Sequence, residues 1–114
     1  MRKLIVLRVL VVTAGLAAVF AATAPSATRV KVGDNYFVRS SGVPTVTVAK
    51  GTKVRWAFSG ESPHNVKAIA GPSRFGSQTM SEGSYTKKLR KRGTYTLICT
   101  VHGGDDQKMT LVVK

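Results

Sequence analysis

From about residue 28 onward, apolar side chains recur at every second position in short runs bounded by glycine or proline. Val30 and Val32 flank Lys31, Val46 and Val48 flank Thr47, and Val54, Trp56 and Phe58 alternate with Arg55 and Ala57. The alternation returns in Tyr95, Leu97 and Cys99, and again in Gln107, Met109, Leu111 and Val113. A strand sends successive side chains to opposite faces, so each run offers one face to a core. No stretch holds a 3.6-residue period long enough for a helix. The pattern predicts an all-β domain, a two-sheet sandwich of about seven to eight short strands. Turns are expected at Lys50-Gly51 and at the basic Arg90-Lys91-Arg92-Gly93. Between them, Ser59 to Pro63 reads as a loop, Asn65 to Ile69 as a short strand and Gly71 to Glu82 as irregular. Tyr85 to Leu89 reads as a further strand.

The first 27 residues do not share this pattern. Arg2 and Lys3 precede an apolar run from Leu4 to Phe20, then small residues from Ala21 to Ala27, the layout of a cleaved export signal. The run is interrupted by Arg8 and is short for a bilayer span. Cleavage is expected between residues 21 and 27, leaving 28–114 as one domain. A domain of that length is marginal without a staple. One cysteine in the whole chain permits no internal disulfide, so a bound metal is the physically attractive substitute.

That cysteine, Cys99, closes an inward-facing run, three residues before His102. A lone cysteine in an exported chain is a reactive thiol, an intermolecular bridge or a metal ligand. The other histidine of the chain, His64, falls at a predicted loop-to-strand junction. All three sit near strand ends, where loops from different strands of a sandwich can meet. Two imidazoles and a thiolate with a weak axial Met or Gln form the blue-copper electron-transfer site. Gln107 and Met109, inward on the last strand, are the axial candidates. Taken singly, each residue has a plainer reading: a hydrogen-bonded histidine, a small buried thiol, a core methionine, a loop glutamine.

The stretches VTVAKGTKVRWAF, SPHNV, GTYTLICTVH and QKMTLVV resemble the small cupredoxins of the plastocyanin, pseudoazurin and amicyanin group, and the resemblance covers nearly all of 28–114. It implies a Greek-key sandwich, one copper ion cycling between Cu(I) and Cu(II), and His64, Cys99 and His102 as ligands. It implies a monomer that shuttles electrons between redox proteins docking near His102, with Gly103 and Gly104 allowing close approach. By the same resemblance Asn65 ties the two ligand loops together near Cys99. Plastocyanin-type spacing from His102 puts Gln107 where the axial methionine would stand, with Met109 as the alternative; Asp105 and Asp106 depart from the family loop. An amide oxygen there favours Cu(II) and implies a lower reduction potential than a thioether gives.

The chain carries 18 basic and 5 acidic residues. Without Arg2, Lys3 and Arg8 the balance is 15 against 5, or +10. Such a field attracts acidic proteins, anionic membranes or envelope polymers. Export and the lack of aromatics interleaved with the basic residues argue against nucleic acid. Lys87, Lys88, Arg90, Lys91 and Arg92 are either a solvated hairpin or a docking patch. Further readings are a copper-delivery protein with the same ligands, a metal-free adhesion or envelope-binding domain, or a zinc site. An enzyme is not expected, because Cys99 and His102 lack an identifiable orienting partner or oxyanion site.

Overall fold

A computed structural model of the chain describes residues 27–103 and 106–114. The described residues form eight strands and no helix: β1 Ala27–Gly33, β2 Tyr36–Phe37, β3 Thr45–Val48, β4 Lys53–His64, β5 Lys67–Ala70, β6 Met80–Lys88, β7 Gly93–Ile98 and β8 Lys108–Val113. They build two four-stranded sheets in the orders β2-β1-β4-β6 and β3-β8-β7-β5. Both sheets are mixed, with β1 parallel to β4 and β3 parallel to β8. The all-β sandwich expected from the alternation is thus the fold. The leader expected over 1–27 lies outside the described residues, save Ala27, where β1 begins.

The inward parity holds on both sheets. Val30, Val32, Val54, Trp56 and Phe58 from one sheet meet Tyr95, Leu97, Met109, Leu111 and Val113 from the other, all buried. Along one side, residues 71–79 run without a regular strand, and aromatic rings fill the gap. Phe75 lies 6.0 Å from Trp56 and 5.9 Å from Tyr95, and Trp56 lies 5.7 Å from Tyr85. The tilted ring geometries suit the aromatic quadrupole. The Tyr95 hydroxyl donates to the Lys91 carbonyl at 2.7 Å and so fastens the basic turn to the core. Tyr95→Phe is expected to cost about 1 kcal/mol in denaturant unfolding of the metal-free protein. Its copper spectrum should not change, because Tyr95 stands far from the histidines.

Several local expectations are corrected. Ser59 to Pro63 is not a loop: β4 continues through it, pairing Ser59 with Glu82 and His64 with Met80 across a register shift. His64 therefore ends a long strand rather than opening a short one. Strand β6 starts at Met80, inside the stretch read as irregular, and β2 was not anticipated. Cys99 lies one residue beyond β7.

Strand direction gives the sandwich two distinct poles. One collects the ends of β1, β4 and β7 and the start of β8. The other collects the Lys50–Thr52 turn, Leu89 and the carboxy terminus. There the Gly51 amide donates to the Leu89 carbonyl at 2.7 Å, the Leu89 amide to the Thr52 carbonyl at 2.9 Å, and the Lys50 amide to the Lys114 carbonyl at 2.8 Å.

Candidate metal centre

At the first pole the side chains of His64, Cys99 and His102 converge, each offering a ligand atom, with these atoms all within 4.8 Å of one another. His64 and Cys99 are fully buried and His102 is half-buried. The two imidazole centroids are 4.6 Å apart. His64 Nδ1 faces the Cys99 sulfur at 3.9 Å. The three residues singled out by spacing are thus brought together.

A carboxylate that spacing did not single out sets the orientation of His64. Asp34, in the turn between β1 and β2, approaches His64 Nε2 at 2.8 Å. The same carboxylate accepts the Glu61 amide at 3.0 Å, the Ser62 amide at 3.1 Å and the Ser62 hydroxyl at 3.0 Å. The imidazole bond is the largest cause holding the Asp34 carboxyl far below the ordinary carboxylate range, and the two backbone amides come next. An ionised carboxylate at Nε2 fixes the proton there and leaves Nδ1 with its lone pair toward the sulfur. Gly60 packs so tightly on Asp34 that a Cβ would collide with the carboxylate. The Gly-Asp-Asn turn was a legible signal, but nothing local connects it with a histidine thirty residues on.

Asn65 joins the two ligand loops, as the resemblance implied. Its side-chain oxygen accepts the Thr100 amide at 2.8 Å, and its Nδ2 donates to the Thr100 hydroxyl at 2.8 Å. Its own amide points at the Cys99 sulfur at 3.5 Å. The Cys99 amide in turn donates to the Gln107 carbonyl at 3.1 Å, bringing the β8 approach into the same cluster.

The two axial candidates part here. Gln107 is buried, and its Nε2 donates to the carbonyls of Gly33 at 3.2 Å and Tyr36 at 2.9 Å. Its Oε1 is buried with no hydrogen-bond partner, as is His102 Nε2. Met109, equally buried, pairs with Leu97 in the middle of the core. A soft sulfur, two imidazoles and an orphaned amide oxygen fit a copper ion.

The basic run from Lys87 to Arg92 stands at the other pole. Strand β7 alone separates it from Cys99 by about 20 Å.

A family model described as copper binding proteins of the plastocyanin/azurin family matches residues 26–114. Among solved structures, a methionine-to-glutamine mutant of amicyanin in its Cu(I) form is similar at 27% identity and TM-score 0.64, over 77% of this chain and 82% of that one. The Cu(I) form of a methionine-to-alanine amicyanin mutant is similar at 26% identity and TM-score 0.65, over 82% and 88%. A copper-containing nitrite reductase from Thermus scotoductus SA-01 shares the fold, at 20% identity and TM-score 0.61, over 80% of this chain and 22% of that one. No curated protein matches the chain.

Proposed function

The chain belongs to the plastocyanin/azurin family of copper-binding proteins, and from that premise we propose that it is an exported carrier of single electrons. It takes one copper. In this reading His64, Cys99 and His102 would hold it, with the Gln107 side-chain oxygen as a further, weaker donor. The observation that carries it is the convergence of two imidazoles and the chain's one thiol within 4.8 Å at a single pole. Copper held there supplies a one-electron couple.

The protein's own task is to keep the ligands still while charge changes. The Asp34 bond and the paired Asn65–Thr100 bonds anchor both ligand loops from outside, so imidazoles and sulfur hold their places in either oxidation state. The Asn65 amide directed at the sulfur stabilises the thiolate form. As a ligand, Cys99 is deprotonated and occupied, which accounts for an exported chain retaining one unpaired cysteine. Gln107, with its amide nitrogen committed to Gly33 and Tyr36, has only its oxygen left to offer. That favours it over Met109.

Electrons pass to and from redox proteins docking at half-buried His102. Val101, 49% exposed, supplies an apolar contact beside it, and Gly103, at φ +82°, keeps the surface low. Such small apolar contacts suit short-lived encounters.

Addition of Cu(II) to the metal-free protein is expected to produce an intense thiolate-to-copper absorption band and the matching electron paramagnetic resonance spectrum. Cys99→Ser should lose both. A colourless protein with weak binding that does not depend on Cys99 would overturn the reading. Loss of copper on each reduction would instead favour a delivery protein.

A further inference from the structure

Charge is distributed along the sandwich in a way that copper chemistry does not require. The four described acidic residues all belong to the copper half: Asp34 and Glu61 beside His64, Glu82 opposite Ser59, and Asp106 directly before Gln107. At the opposite pole the tied loops and strand ends expose Lys50, Lys53, Lys88, Arg90, Lys91 and Arg92. No described Asp or Glu is among them, and among the described residues no Lys or Arg side chain pairs with a carboxylate. Lys53 and Lys88 stand directly opposite each other across β4 and β6. Like charges in that position repel and weaken the sheet. A merely solvated face would gain stability from a single acid there.

We propose that this cationic pole seats the protein on an anionic phospholipid bilayer, with the copper pole directed away from the lipid. The pole lacks what a specific protein interface uses. Among the described residues the exposed large apolar side chains, Val38, Val43, Ile69 and Val101, lie in the β2–β3 connection, in β5 and beside the copper site, none of them at this end. Protein interfaces draw their affinity from buried aromatic or apolar anchors. An end whose charged side chains are all lysine and arginine matches a diffuse negative surface instead, where each cation adds its own increment within a Debye length. The recess of about 340 Å³ between Ser73 and residues 87–91 admits a phosphate-bearing headgroup among the cations. Seated this way, His102 points away from the bilayer, free to meet soluble partners. The assignment goes beyond the electron-carrier reading and holds equally for the metal-free chain.

The test is co-sedimentation of the purified protein, metal-free and copper-loaded, with phosphatidylcholine vesicles lacking or containing phosphatidylglycerol. Binding is expected only with phosphatidylglycerol, in both forms, and should weaken steeply with salt. The triple replacement of Arg90, Lys91 and Arg92 by Gln should lower partitioning on the order of 100-fold. The same loss of charge in the copper half, Arg39→Gln with Lys67→Gln and Lys108→Gln, should leave most of it. All six side chains are exposed, so both variants should keep the fold, checked by thermal unfolding. Equal losses in the two triples would reduce the effect to net charge and overturn the assignment. So would equal binding to neutral vesicles, or capture by soluble polyglutamate with none by lipid. A bound copper protein that ascorbate can no longer reduce would place the wrong pole on the membrane.

Discussion

Replacing Gln107 with Met is expected to raise the reduction potential on the order of 100 mV, equivalent to roughly 2 kcal/mol for a one-electron couple. A thioether is softer than an amide oxygen and relieves Cu(II) of its preferred donor, so Cu(I) gains. The substitution also has a cost away from the metal. The Gln107 amide donates to the carbonyls of Gly33 and Tyr36, and methionine leaves both without that donor. The metal-free variant should therefore unfold about 2 kcal/mol more easily. Met109→Leu is the companion measurement. Met109 packs in the core beside Leu97, so this near-isosteric change should leave the potential where it was. An unchanged potential in Gln107→Met, or a shifted one in Met109→Leu, would remove Gln107 from the axial place.

The second large effect is expected at Asp34. Asp34→Ala removes the acceptor of four donors: His64 Nε2, the amides of Glu61 and Ser62, and the Ser62 hydroxyl. The imidazole is then free to turn and to carry its proton on either nitrogen, and the last turn of β4 loses its tie to the β1–β2 turn. Copper affinity, measured by competition with a chelator, should fall about 10- to 100-fold. Asp34→Asn separates orientation from charge. The amide oxygen can still accept from Nε2, so most of the affinity should return. The negative charge does not, and the potential should rise because Cu(II) loses an electrostatic partner. Equal affinity in Asp34→Ala and the parent protein would reduce the contact to a surface ion pair.

Both arguments rest on contacts that differ in how far they could be read along the chain. The strands of the core were legible because a period of two is a local property. Val54, Trp56 and Phe58 declare their face without reference to any partner, and all three are buried. His64, Cys99 and His102 were legible as a set because few side chains in the sequence offer soft donors, and family spacing joined them. The end of β4 was not. Gly60 and Pro63 are ordinary loop punctuation, and the segment is extended only because Glu82 and Met80 pair with it from β6 and Asp34 clasps its amides. The choice between Gln107 and Met109 was equally closed to parity, since both point inward. Their neighbours in the structure differ, two backbone carbonyls for one and Leu97 for the other, and that difference is the ground on which Gln107 is proposed.

By itself the sequence determined the fold class, the inward face of each main strand, the soft-donor set and the size of the positive charge, because each follows from residue type and short-range order. Tertiary structure alone decided where these things lie. It brought Asp34 to His64 across thirty residues, and it set the basic turn and the copper site at opposite ends of β7. Neither could be read beforehand, because long-range pairing depends on the register and direction of strands that meet only when both sheets close over one core.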